Sequence, residues 1–149
     1  MSIEYRLTIA GNAPVNLVAE RAFPDPGERP TGTASLLSAD LYDRSGFGVT
    51  IRADHNGYVE IESDQGIWEW EPETYLDLTF RMDKDADPNW AVINMLTVVR
   101  RVLATGPEDI AFTFNIDSLL LTRFDGTLVK HNRGGWWANY PGADQLIPG

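Results

Sequence analysis

Strict alternation of apolar and polar residues dominates the hydrophobic pattern of this chain. Residues 3–10, 75–82 and 110–116 each alternate in this way, and the last of them places on one face Phe112, Phe114 and Ile116. A period of two residues is typical of half-buried β-strands, whose side chains point to opposite faces in turn. The pattern therefore predicts three strands, of which the one at 75–82 is the clearest.

Two further alternating segments, 47–52 and 58–62, lie close together in the chain. We expect them to form a β-hairpin with a three-residue loop, 55–57, whose glycine takes the left-handed position. This register places Ile51 opposite Ile61 and keeps the apolar side chains on one face, whereas a two-residue turn would mix the faces. The pattern therefore favours the bulged three-residue loop.

The same register places Arg52 opposite Glu60, which predicts a cross-strand ion pair of modest strength. A second hairpin is predicted within residues 119–131, with a turn that contains Asp125-Gly126.

The helical period is clearest in residues 88–104, where apolar residues three or four positions apart form one stripe. Asp87 is suited to cap this helix, and Pro88 fits the first helical position. At about 1.5 Å per residue the helix is about 25 Å long, so we expect it to lie across a sheet. A shorter helix is predicted after Asn12, which would cap it, with Pro14 in its first turn.

These elements predict an α+β fold in a single domain spanning residues 1–149. Its antiparallel sheet would have about six strands, with the long helix 88–104 on one face and the shorter N-terminal helix nearby. A chain of 149 residues buries roughly 70% of its unfolded surface, so no second core is needed. The last residues are rich in Gly and Pro, but part of this segment is expected to pack through Trp136, Trp137 and Tyr140.

Composition narrows the possible partners. The formal net charge is -10 and the isoelectric point is near 4.5, which argues against nucleic acid and acidic membrane surfaces as ligands. The start of the chain lacks the basic region and apolar run of a signal peptide, and no stretch approaches the roughly 20 apolar residues that span a bilayer. With no cysteine in the chain, we expect a cytoplasmic protein.

Enzymatic motifs are not found. There is no G-x-S-x-G motif, no phosphate-binding loop and no dinucleotide fingerprint, and the two candidate bases, His55 and His131, both lie beside predicted turns or strand ends. Residues 83–89 resemble the start of a calcium loop, but Pro88 stands where that loop needs glycine. We therefore predict no catalytic residue, no cofactor and no metal.

The segment IWEWEPE, residues 67–73, places Trp68 and Trp70 between glutamates. On a strand Glu69 and Glu71 would lie about 6 to 7 Å apart on one face, which is compatible with the carboxylate pair of a glycosidase. Two neighbouring carboxylates on a solvated face nevertheless lack the contrasting environments that separate pKa values. The favoured interpretation is that the tryptophans pack inward and the glutamates face water.

Acidic residues are concentrated in one part of the chain. Residues 54–87 contain 11 of the 22 acidic residues and only two basic ones, Arg81 and Lys84. A run of this kind indicates a surface rather than a cleft. The candidate partner-binding residues are therefore Glu60, Glu62, Asp64, Trp68, Glu69, Trp70, Glu71 and Glu73.

Three segments make the chain resemble a known family, the immunity proteins of the Sit (swarming-inhibition toxin) type from bacterial polymorphic toxin systems. They are FRMDKDADP at 80–88, NMLTVVRRVL at 94–103 and FTFNIDSLLLTRFDGTLV at 112–129. A tryptophan after the last hairpin, Trp136 or Trp137, is similar to the family's ending. The chain departs from the family's tendency towards Gly-Glu after Phe-Asn, because Ile116-Asp117 stands there.

The resemblance implies a non-enzymatic cytoplasmic protein that binds and neutralises a cognate toxin, and it supplies no catalytic residues. An acidic surface would suit a basic toxin. The alternative hypothesis is a carbohydrate-binding or carbohydrate-active protein that uses Trp68, Trp70 and the neighbouring acids. The identity of the toxin and the oligomeric state stay open at this point.

Overall fold

The computed structural model describes residues 3–63 and 65–149. Within them the strands are β1 (Glu4–Ala10), β2 (Thr31–Gly32), β3 (Leu36–Leu41), β4 (Phe47–His55), β5 (Val59–Ser63), β6 (Gly66–Trp70), β7 (Thr74–Met82), β8 (Ile110–Phe114), β9 (Ser118–Phe124) and β10 (Thr127–Lys130). The helices are α1 (Val15–Ala22), α2 (Tyr42–Ser45), α3 (Pro88–Ala104) and α4 (Pro141–Leu146), and a π-helical turn, Arg133–Trp137, precedes α4.

All ten strands join one sheet in the order β2-β3-β4-β7-β1-β8-β9-β5-β6, and β10 pairs with β9 beside that path. The pairs are antiparallel except β5 with β9, which run parallel. The α+β class is confirmed, but the expected antiparallel sheet of about six strands is wrong, because the sheet is mixed and larger. The difference arises partly from β2, which has only two residues, and from β3, whose sequence LLSADL does not alternate cleanly.

The predicted hairpin between residues 47–52 and 58–62 is also wrong. β4 lies between β3 and β7, with Ile51 opposite Leu78, while β5 pairs with β6. The long ladder between β4 and β7 prevails over the local pairing. Arg52 accordingly lies 3.7 Å from Asp54 and 4.0 Å from Asp77, and the predicted ion pair with Glu60 is replaced by these contacts.

The loop that follows β4 therefore has a different role. Asn56, with φ of 56°, takes the left-handed conformation that was expected of Gly57. The amide of Asn56 donates to the Glu73 carbonyl at 2.7 Å, and that of Gly57 donates to the Pro72 carbonyl at 2.8 Å. These bonds tie the loop to the chain entering β7. A side chain at residue 57 would collide with Tyr75.

The long helix α3 begins and ends as predicted. The Asp87 side chain accepts a hydrogen bond from the Asn89 amide at 3.1 Å, and Asp83 accepts one from the Asp85 amide at 2.9 Å. The acidic run is thus a helix start, as the sequence indicated. The first helix differs in detail, because Pro14 rather than Asn12 occupies its N-cap position.

The main hydrophobic core lies between one face of the sheet and α1 and α3. It includes the buried stripe of α3, namely Ala91, Val92, Met95, Leu96, Val98, Val99 and Val102, and the inward residues of the central strands. At about 25 cal/mol per Å² of buried apolar surface, this burial is the main stabilising contribution. The C-terminal aromatics close the core at one end.

The expected packing of the C-terminal segment is confirmed. Trp137 is only 2% exposed and donates its Nε1 hydrogen to the Leu120 carbonyl at 2.9 Å. Trp136 donates to the Tyr5 hydroxyl at 3.0 Å, and burial raises the pKa of Tyr5 to about 12. Lys130 is buried and forms an ion pair with Asp144 at 2.6 Å, which secures α4.

The second face of the sheet is polar at its centre. Asp77 on β7 is 5% exposed and accepts a hydrogen bond from the Thr8 hydroxyl at 2.7 Å. Burial raises the pKa of Asp77 above its ordinary value, because the surroundings solvate the carboxylate less well than water does. The hydrogen bond and the charges of Arg6 and Arg52 oppose this effect only in part.

We predict that Asp77→Asn stabilises the protein at neutral pH. Because its folded-state pKa is raised, ionised Asp77 lowers the free energy of unfolding at pH above that value, and this cost disappears as pH falls below the unfolded-state value near 3.8. An asparagine at 77 still offers Thr8 an oxygen acceptor without the charge. Urea denaturation should show the gain at neutral pH and its loss in acid; a wild type more stable than the variant at neutral pH would contradict this account.

Candidate functional site

The hairpin of β5 and β6 turns its apolar side towards the second face of the sheet. Trp68 and Trp70 are half-buried, and their ring centroids lie 5.9 and 5.1 Å from that of Phe124. Both also pack against a small buried cluster of Ile61, Ala111 and Leu119. The prediction that the two tryptophans point the same way and pack inward is confirmed.

The other side of the hairpin carries glutamates. Glu60 lies directly opposite Glu69, and Glu62 lies opposite Ile67. These glutamates are exposed, and none of them forms an ion pair with a residue in 3–63 or 65–149. Like charges directly opposite each other weaken an antiparallel pair. We call Glu60, Glu62, Glu69 and Glu71 the acidic face.

Tyr58 reports the electrostatic character of the acidic face. Its hydroxyl donates a hydrogen bond to Glu60 Oε2 at 2.9 Å. That bond, slight desolvation and the negative charges of Glu60, Glu69 and Glu71 raise the pKa of Tyr58. The carboxylates of Glu60, Glu69 and Glu71 therefore all lie near the Tyr58 hydroxyl, even though Glu71 lies just beyond the end of β6.

The predicted partner-binding residues do not all lie on one surface. Trp68 and Trp70 lie on the opposite side of the hairpin from the four glutamates of the acidic face. Glu73 is exposed at a bend beyond the buried Pro72. Asp64, also predicted to bind a partner, lies outside the described residues.

Two apolar residues, absent from the predicted set, lie beside the acidic face. Ile67 on β6 is 67% exposed and Ile116, between β8 and β9, is 66% exposed. Both line a shallow surface depression of about 410 Å³ together with Glu60, Ile61, Glu62 and Asp117. We call Ile67 and Ile116 the isoleucine pair. Alternation could have pointed to Ile67, since Ile67 shares the parity of Glu69 and Glu71, but no sequence signal pointed to the exposure of Ile116.

Ile116 has an unusual backbone conformation. It was expected on the strand face with Phe112 and Phe114, but β8 ends at Phe114 and the chain turns back. Asn115 and Ile116 have φ of 51° and 63°, both in the left-handed region. For an L-residue this conformation costs about 1–2 kcal/mol, and a β-branched residue is a clear outlier there.

Other chemistry finds little support in the described part of the chain. No group of three or more His, Asp or Glu side chains in residues 3–63 and 65–149 is arranged to hold a metal ion. His55 is exposed next to Asp54, whereas His131 is buried with its Nε2 3.2 Å from the Thr122 hydroxyl. Among the described helices, none is long and apolar enough to cross a membrane.

The chain was compared with models of known protein families, with curated proteins and with solved structures. A family model described as SitI3-like matches residues 3–141, which extends from β1 to the start of α4. The chain belongs to the SitI3-like family. This confirms the resemblance to Sit-type immunity proteins that the three sequence segments indicated. No curated protein and no solved structure matched the chain.

In this SitI3-like protein we predict that Ile116→Gly raises stability. Glycine adopts the left-handed conformation freely and Asn-Gly suits this turn, so relief of strain should exceed the added entropy of the unfolded chain. The expected gain in the free energy of unfolding is about 0.5–1 kcal/mol, measurable by urea denaturation. Ile93→Gly, within α3, serves as the opposite control and should destabilise; a less stable Ile116→Gly would refute the assignment of strain.

Proposed function

We propose that this chain is a non-enzymatic immunity protein that binds and neutralises a cognate toxin in the cytoplasm of the producing cell. The family match over residues 3–141 carries the proposal, because immunity proteins of the Sit type act by binding a toxin rather than by catalysis. The absence of a recognisable catalytic motif in the sequence agrees with a binding role.

The acidic face supports docking of a basic partner. Glu60 and Glu69 lie opposite each other, and the cations that would offset their repulsion are not supplied by the described residues. A partner with Lys or Arg at this surface would supply them, which is the usual form of electrostatic complementarity at an interface. The net charge of -10 would also attract a basic partner over a longer range and speed its encounter.

The alternative carbohydrate hypothesis gains less support. A sugar platform presents an exposed ring face, whereas the rings of Trp68 and Trp70 pack against Phe124 and the small cluster beneath them. Their carboxylate neighbours, Glu69 and Glu71, lie on the other side of the hairpin. The tryptophans and the acids therefore do not form one site.

Co-expression with the toxin encoded beside its gene tests the proposal directly. We expect the immunity protein to restore growth and to co-purify with the toxin as a stable complex. A toxin encoded by an unrelated locus provides the specificity control, and it should stay toxic. Failure of both rescue and binding with the neighbouring toxin would exclude the proposed function.

Charge reversal of the acidic face tests the docking surface. Replacing its four glutamates by lysine should slow association with the toxin by at least about tenfold at low salt. Electrostatic steering raises association rates by about 10- to 10³-fold, and the substitutions would remove it. Stopped-flow or surface-capture kinetics would measure the rate, and thermal unfolding should change little, because these side chains are exposed.

A matched pair separates local from overall charge. Glu69→Lys and Glu20→Lys change the net charge equally, but Glu20 lies on α1, away from the β5-β6 hairpin. We expect the substitution at 69 to slow association much more than the one at 20. Equal effects would mean that the acidic face is not the docking surface.

A further inference from the structure

The isoleucine pair is the least buried apolar feature of the described residues. Ile67 and Ile116 exceed every other large hydrophobic side chain there in exposed fraction, the next being Tyr58 at 55%. They line one depression rather than lying apart on the surface. Single exposed aliphatic residues are ordinary, whereas neighbouring exposed apolar residues are a feature of interaction surfaces.

The backbone at Ile116 strengthens this interpretation. Its φ of 63° is unfavourable for a β-branched residue, and a side chain that is 66% exposed contributes little burial to the fold in return. Glycine or asparagine would form the same turn at lower cost. The strained turn thus holds an aliphatic side chain out into solvent, although a less costly residue would close the same turn.

We propose that the isoleucine pair is the apolar anchor of the toxin interface and receives an aliphatic or aromatic side chain that is flanked in the toxin by lysine or arginine. This inference rests on the proposed function, and it assigns the binding contact to two residues outside the acidic face. The anchor lies in the depression whose other side chains include Glu60, Glu62 and Asp117.

The negative charges around the depression favour a basic partner over a second copy of this chain. A second copy of this chain, docked through the same surface, would bring its own Glu60, Glu62 and Asp117 against these carboxylates, because a two-fold contact pairs a patch with itself. Like charges brought together disfavour that contact. A basic protein instead places cations next to the carboxylates and its apolar side chain between the isoleucines.

The anchor and the acidic face should affect different rate constants. Charges act on approach and change mainly the association rate, whereas a desolvated apolar centre resists separation and changes mainly the dissociation rate. We therefore expect Ile67→Ala and Ile116→Gly each to speed dissociation of the complex by about tenfold or more, with little effect on association.

The experiment measures both rates for the toxin encoded beside the gene, together with growth rescue. Ile116→Asn is the second variant at that position, because asparagine keeps the left-handed turn and removes the apolar side chain. Leu17→Ala, on α1 with a side chain 48% exposed, is the control and should leave dissociation unchanged. Stability measurements on the same proteins should show binding lost while folding is retained or improved.

The outcomes distinguish the anchor from the proposed function. If the wild type binds and rescues but Ile67→Ala, Ile116→Gly and Ile116→Asn all dissociate as slowly as it does, the anchor is refuted and the immunity function stands. If the wild type neither binds nor rescues, the immunity function itself fails. A wild-type dimer in sedimentation that Ile116→Asn converts to a monomer would also overturn the proposal, because the pair would then join two copies.

Discussion

The pairing of β1 with both β7 and β8 is the constraint on which the rest of the structure depends. It joins the first strand of the chain to two strands that flank α3, and every residue of β1 has a register partner in β7. With the three strands fixed, α3 must cross their apolar face, because the connection from β7 to β8 passes over β1. The main core follows from this arrangement.

The position of the acidic face follows from the same topology. The β5-β6 hairpin comes last in the strand order and joins β9 through one register pair, Glu62 with Ser118. So short a junction lets the hairpin lay its apolar side over the second face of the sheet, where Ala111 and Leu119 need cover. Since side chains alternate along a strand, the glutamates are then turned away from the protein.

Elements with strong local signals could be predicted from the sequence. The helix α3 combines an N-cap, a proline at its first position and a continuous apolar stripe, so its bounds were predicted correctly. The opposed faces of Trp68 and Glu69 followed from the period of two. These features depend on neighbours within a few residues, which a sequence displays directly.

Features that depend on distant partners could not be predicted in this way. β4 has a suitable local partner in residues 58–62, yet β7, which is more distant in the chain, offers a longer ladder. Alternation also cannot give the sign of φ, so the same pattern that identified Phe112 and Phe114 extended wrongly to Ile116. Its exposure results from a turn that β9 imposes on the chain after Phe114.

Two local costs coincide in one small surface, and their coincidence supports the proposal that this surface binds a partner. Glu60 opposite Glu69 weakens a strand pair, and the left-handed Ile116 strains a turn. Each costs on the order of 1 kcal/mol in proteins whose whole stability is about 5–15 kcal/mol. No cation among the described residues forms an ion pair with Glu60 or Glu69, and the Ile116 side chain is 66% exposed. Local conflicts of this kind are expected at functional sites, and under the proposed function a bound toxin would supply the cations and the apolar contact.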